Sequence, residues 1–322
     1  AEAHPGPDQA SRDNARLNFI ALSFVLMVGT AGLPHILMRY YTTPSVRDAR
    51  RSVFWTLFFI FLLYVTAPAY AVFAKWEVYN TLIGSNIASL PSWVVSWGKV
   101  GLVKIEDINA DGILQLAELS LNSDAILLLT PEIAGLPYVV AGLVAAGGLA
   151  AALSTADGLL LTISHALSHD LYYRVINPEA STQRRLVITK SQLLVVAVVA
   201  AWVASLRPDS ILFMVGLAFS IAASAFFPAL VLGIFWKRAN KWGAICGMIA
   251  GLGITLFYIV RTHPFFGGGL DDAWFGIHPI SCGVFGVPAG FLVIVLVSLL
   301  TPPPSAAVLA LVDNVRLPDV GR

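Results

Sequence analysis

The stretch AGLVAAGGLAAALSTADGLLLTIS (residues 141–164) holds one ionisable residue, Asp157, in 24 positions. An apolar run of that length exceeds the roughly 20 residues a helix needs to cross a hydrocarbon core. Its small residues from Ala145 to Ala152 let a neighbouring helix approach closely. The rest of the chain is of the same kind: 322 residues, 57% hydrophobic and 12% charged, with mean hydropathy +0.77. Soluble domains carry about 25% charged residues, so the composition predicts an all-α polytopic membrane protein. A net charge of +1 gives no basis for a nucleic-acid partner. Cys246 and Cys282 sit in or beside apolar runs and are expected to be unbridged.

Apolar runs place seven spans near 17–39, 52–75, 136–172, 185–206, 209–236, 242–261 and 280–300. The third is too long for one straight crossing and is expected to tilt or to continue past the membrane. Basic residues orient the set. Arg39, Arg47, Arg50, Arg51, Arg174, Arg184, Arg185, Lys190, Lys237, Arg238, Lys241, Arg316 and Arg322 fall in one group of connections. The smaller group is Arg12, Arg16, Lys75, Lys99, Lys104, Arg207 and Arg261. The first group is therefore expected to be cytoplasmic, in the plasma (inner) membrane. That puts a polar tail (1–16) and the segments 76–135 and 262–279 outside, and the tail 301–322 inside. The opening AEAHPGPDQASRDNARLN has neither an initiator Met nor a signal pattern, and reads as a loop entered midway in a longer protein. The segment 76–135 is expected to form short helices on the outer face, with Trp76, Trp93 and Trp97 at the interface.

Three motifs carry chemistry. In VGTAGLPHI (residues 28–36), Gly29, Gly32 and Pro34 break the first span mid-membrane. Pro34 lacks an N–H and clashes with the preceding turn, and irregular backbone at that depth is tolerated where it lines a cavity. Gly29, Thr30, Gly32, Pro34 and His35 are thus candidate pathway residues, and His35 is placed to contact an anionic solute; a kinked packing helix is the alternative. In the third span, Ala151, Ser154 and Asp157 share a helix face. Ser154 and Thr155 offer hydroxyls to a hard cation, or bond back to carbonyls one turn earlier. An Asp in mid-span costs about 2.5–3.5 kcal/mol on insertion scales and usually marks an ion or proton path. The third motif, DINADGILQLAEL (residues 107–119), fills every ligand position of a calcium loop. Asp107, Asn109, Asp111, the Ile113 carbonyl, Gln115 and Glu118 are the ligands, and Gly112 makes the turn. LQLAELSL is expected to be the exit helix, whereas VGLVKIE is a poor entry helix. Affinity is expected in the extracellular class, about 10⁻⁴–10⁻³ M.

The stretches GTAGLPHILMRYYTTPSVRDARRS, PEIAGLPYVVAGLVAAGGLAAALSTADGLLLTIS and FFPALVLGIFWKRANKWGAICGMIAGLG resemble the sodium:solute symporters, most closely their acetate-permease-like branch. The last stretch resembles a family signature in Gly233, Ile234, Arg238, Gly243, Ala244, Gly247, Gly251 and Gly253. The resemblance implies a leucine-transporter-type fold, with this chain supplying the second inverted repeat and C-terminal helices. It implies sodium ligands at the Ala151 carbonyl and the Ser154 and Thr155 hydroxyls. The remaining ligands are implied on a first core helix that this chain lacks, so the missing N-terminal helices count as partners. It also places 76–135 in an extracellular gating loop. Asp157 departs from the small or neutral residue implied there and is the candidate for a role in coupling.

The expected function is sodium-coupled symport of a small monocarboxylate such as acetate, with Na⁺ as coupling ion and Ca²⁺ as a second candidate ion. One alternative is a calcium-sensing membrane protein without transport. The other is an intramembrane enzyme using Asp157, His165, His169 and Asp170 as acid and base. No nucleophile elbow, zinc motif or paired-Asp signature accompanies it, so the chain is expected not to be an enzyme.

Overall fold

A computed structural model describes residues 8–40, 42–206 and 209–316. The N-terminal residues 1–7, Arg207, and the end of the C-terminal tail with Arg322 lie outside the described residues. In chain order the helices are α1 (Gln9–Gly32), α2 (Pro34–Tyr40), α3 (Val46–Thr81), α4 (Ser92–Lys99), α5 (Ile126–Ile133) and α6 (Tyr138–His165). Then come α7 (Thr182–Ser205), α8 (Ile211–Phe235), α9 (Lys241–Thr262), α10 (Gly283–Leu300) and α11 (Ala306–Arg316). Two short strands, β1 (Val103–Ile105) and β2 (Leu119–Leu121), pair antiparallel. Among the described residues, seven helical segments are long and apolar enough to span a bilayer. The chain is an all-α multi-pass membrane protein, with the number of spans expected from composition.

The span ends differ from the apolar runs. The first helix starts at Gln9, inside the expected polar tail, because Asp8 caps it by accepting from the Ser11 N–H at 2.8 Å. Hydrogen bonds from the Ser11 hydroxyl, and then from its amide, hold the Asp8 carboxyl below the usual carboxylate range. The second span runs on to Thr81 because Val78 and the following Leu82 are buried in a core of their own. The third continues from α6 through an eleven-residue π-helical segment, Ala166–Ile176, so its extra length is carried past the apolar run.

The chain divides into two compact units, 42–200 and the pair 1–41 with 201–322. In the first of these, α5 packs on α3 and α6. Tyr70 Oη donates to the Leu127 carbonyl at 3.0 Å, and Ser164 Oγ donates to the Thr189 carbonyl at 2.7 Å. The segment after α3 is a small folded module. Leu82, Val94, Val103, Leu114 and Leu129 form its core. Trp93 and Trp97 pack against that core, and Trp97 Nε1 donates to Glu132 at 2.7 Å. Both are half-buried in this module. Trp76 alone of the three is exposed, at 61%.

The other unit is a bundle of α1, α8, α9 and α10. Gly243, Gly247, Gly251 and Thr255 line one face of α9 at four-residue spacing. Opposite them on α10 lie Ser298, Ile294, Gly290 and Gly286, in reverse order. A Cβ on Gly251 would sit 2.3 Å from the Ser224 carbonyl oxygen of α8, and one on Gly247 would sit 2.9 Å from that of Gly290. Close backbone approach of this kind is how helices associate in lipid, where burial of apolar surface supplies little.

Candidate functional site

The first span is broken where its sequence predicts. Leu33 is extended (φ −70°, ψ 117°), and α2 begins at Pro34. Proline disfavours the helical region for the residue before it and has no N–H for the helix ladder. The Ile36 and Leu37 amides both turn back to the Leu33 carbonyl, at 3.1 and 3.2 Å. Immediately before the break, α1 is pressed onto α8. A Cβ on Gly29 would lie 2.7 Å from the Phe219 oxygen, and one on Gly32 would lie 3.0 Å from that of Ala222. These two glycines thus serve close packing at the edge of the break. Thr30 is exposed and donates to the Leu26 carbonyl at 2.7 Å. His35 is half-buried, and its Nδ1 is buried without a hydrogen-bond partner among the described residues. Buried polar atoms are nearly always paired, which makes His35 the group here most in need of a ligand.

On α6, Ala151, Ser154, Thr155 and Asp157 are all exposed. Thr155 Oγ1 donates to the Ala151 carbonyl at 3.2 Å, the local back-bond weighed against the cation site. Farther along, His169 Nδ1 lies 3.0 Å from Asp170 on the exposed surface. Arg185 stacks over Tyr173 at 3.8 Å.

The acidic loop has much of the local geometry of its motif. Asp107 accepts from the Gly112 N–H at 3.0 Å, Asn109 from Asp111 at 3.1 Å and Asp111 from Ile113 at 2.7 Å. The Ile113 amide, followed by the Asn109 and Gln115 side chains, holds the Asp111 carboxyl below its usual range. Glu118 departs from the motif. It is buried, and its two oxygens accept from the Ile108 and Gln115 amides at 3.0 and 2.9 Å. Among the described residues no group of three or more His, Cys, Asp or Glu is placed to hold a metal ion. The expected exit helix is also absent: Leu116–Glu118 is one 3₁₀ turn, and Leu119–Leu121 is β2. VKI and LSL pair as strands, and the Leu114 amide and carbonyl bond to the chain at Ser85 and Gly84. These contacts lock the segment extended.

Two polar clusters escaped the sequence reading. Ser220, Ser224 and Thr255 are fully buried between α8 and α9. At the end of the same bundle, His263 Nε2 lies 3.6 Å from Asp209, and the Phe213 ring lies 5.1 Å from His263 and 5.7 Å from His278. His278 belongs to a loop tied to α1 through its backbone N–H, which donates to Asn18 at 2.6 Å. Burial pushes the His278 imidazole below its ordinary value, with Asp209 opposing and His263 reinforcing. Thr255 lies 31 residues from Ser224, and His263 stands on a different element from Asp209, so no local motif joins either set.

The model of the sodium:solute symporter family matches residues 4–251. An uncharacterized symporter of Cupriavidus necator is 55% identical over 320 residues, covering 98% of this chain and 47% of that protein. A monocarboxylic acid transporter of Corynebacterium glutamicum is 28% identical over 295 residues, covering 89% of this chain and 47% of its own length. The chain spans about half the length of these curated relatives. With the family match running from the broken first span through α9's glycine face, this chain belongs to the sodium:solute symporter family.

Proposed function

We propose that this chain is part of a sodium-coupled symporter for a small monocarboxylate such as acetate, working by alternating access in the inner membrane. It is a transporter component and not an enzyme. The observation that carries the reading is the break at Leu33–Pro34 followed by His35 with an unpaired buried nitrogen. Discontinuous helices present backbone dipoles and free polar groups to substrates and ions. In this reading Thr30, Pro34 and His35 border the solute path, and Gly29 and Gly32 hold the break against α8. The Ala151 carbonyl with the Ser154 and Thr155 hydroxyls forms part of a sodium shell. Helices beyond this chain complete it, and Asp157 influences coupling. The acidic module 76–135 and the loop 262–279 face outward, and the C-terminus faces the cytoplasm. The relative named for monocarboxylic acid transport supports the solute class.

The test is acetate uptake into proteoliposomes by the full-length protein under an imposed sodium gradient. Uptake is expected to require sodium, and Ser154→Ala with Thr155→Ala is expected to remove that requirement's saturation or abolish uptake. Unchanged sodium dependence in the double variant would sink the site. Uptake indifferent to sodium in the parent protein would sink the coupling.

A further inference from the structure

Where α8 gives way to α9, three cations crowd one spot. Lys237 and Arg238 lie in the connecting turn, and Lys241 is the first residue of α9. The first turn of this 22-residue helix contains no acid. A helix N-terminus carries about half a positive charge and favours anions, so the cluster stands against both itself and the helix dipole. Across the described residues of the turn 236–240, the segment 301–305 and α11, the one acid is Asp313. It is paired with Lys237 at 2.6 Å. Arg238 Nη2 donates to the Leu299 and Thr301 carbonyls at 3.3 and 2.9 Å, while its buried Nη1 has no partner among the described residues. Lys241 lies over the Trp242 ring at 5.3 Å.

The turn itself is tied down by Asn240. Asn240 caps α9 by accepting from the Gly243 N–H at 2.9 Å, and its side-chain amide donates to Thr301 Oγ1 at 2.7 Å and to the Pro302 carbonyl at 3.0 Å. Beside it opens a cavity of about 670 Å³, walled by Gly233, Ala244, Ile294 and Val308, with Asn240 and Lys241 also in its lining. Ile234, Phe235, Trp242 and Ile245 around this corner are exposed, as residues facing lipid are. Excess positive charge next to an apolar hollow at the end of membrane-spanning helices matches a ligand with an anionic head and a hydrocarbon tail. Basic pockets between transmembrane helices take such head groups.

We propose that this corner binds an anionic phospholipid, its phosphate against Lys241 and an acyl chain along the wall formed by Gly233, Ala244 and Val308. The hollow distinguishes the lipid from free phosphate, which has nothing to fill it. The proposal is independent of the transport reading.

The test uses the purified chain in a neutral detergent, with lipid binding counted by native mass spectrometry and thermal unfolding followed in parallel. Phosphatidylglycerol is expected to bind and to stabilise. Phosphatidylcholine and inorganic phosphate at equal concentration are expected not to. Lys241→Gln should weaken phosphatidylglycerol binding roughly five-fold, Lys241→Arg should restore it, and Lys190→Gln on α7 should leave it unchanged. Val308→Trp, which fills the hollow from its apolar side, should weaken it as well, so the proposal does not hang on one variant. Equal binding of phosphatidylcholine, full stabilisation by inorganic phosphate alone, or unchanged binding in either Lys241→Gln or Val308→Trp would overturn it.

Discussion

Thr255 Oγ1 donates to Ser224 Oγ at 2.7 Å, joining α9 to α8 through two fully buried hydroxyls. The chain of bonds continues: Ser224 donates to the Ser220 carbonyl at 2.8 Å, and Ser220 Oγ donates to the Ile280 carbonyl at 2.7 Å. α9, α8 and the turn before α10 are thus linked by hydroxyls. Interhelical bonds in membranes are worth about 0.6 kcal/mol on average. Thr255→Val should therefore cost about 1 kcal/mol or less, and a double-mutant cycle with Ser224→Ala should return a coupling near the average. Unfolding of the purified chain in mixed micelles measures both, and additive effects would mean that the bond carries nothing.

Two glycines of the same signature should respond in opposite ways to one methyl group. At Gly251 a Cβ meets the Ser224 carbonyl at 2.3 Å and the Gly286 carbonyl at 3.0 Å, backbone atoms that cannot step aside. Gly251→Ala should destabilise by about 1–3 kcal/mol, the usual cost of overpacking. At Gly253 no atom lies within 4 Å of the added carbon. Gly253→Ala should be neutral or stabilise by up to about 1 kcal/mol, because alanine is the better helix former. Thermal unfolding of the two variants side by side decides the matter.

Glu118 acts as a double backbone clamp. Glu118→Ala leaves the Ile108 and Gln115 amides without their acceptor inside a folded module. A hydrogen bond to a charged group is worth about 1.5–3 kcal/mol. Amide hydrogen exchange in the 84–121 region of the whole chain should accelerate accordingly, in chelator as much as in calcium. Acceleration in calcium buffer alone would return Glu118 to the ligand role its sequence suggests.

Acid should loosen the end of the bundle that holds His278. Burial depresses its folded pKa below the ordinary 6.5. The folded state therefore resists the proton more than the unfolded chain does. Stability is full above about 6.5 and falls as the pH drops through the lowered folded value. His278→Gln should flatten that fall. Asp209→Asn removes the charge that partly offsets the burial, and should steepen it. Unfolding measured between about pH 5 and 8 reads both slopes, and parallel curves for parent and His278→Gln would exclude His278 as the titrating group.

The broken first span was legible because proline acts locally: it withdraws a donor and biases the residue before it, whatever surrounds them. The acidic loop shows where local reading fails. Each ligand position of DINADGILQLAEL is filled, yet the loop is held between β1, β2 and the chain at Gly84–Ile87, and Glu118 turns to backbone amides. The pattern specifies residue types at a spacing. It does not specify which atoms those residues meet.

The sequence by itself determined the number of spans, the break at Pro34 and the family. The first two follow from the bilayer, which imposes a length on every apolar run and satisfies no stray backbone group; the third rests on residue identity along most of the chain. The tertiary structure alone decided how the spans within each unit face one another. A helix that is apolar all round has no preferred side, so nothing local tells Gly251 from Gly253 or Ser224 from an exposed serine. The distinction appears when α8, α9 and α10 approach closely enough for one methyl group to matter. The same approach brought Asp209 to His263.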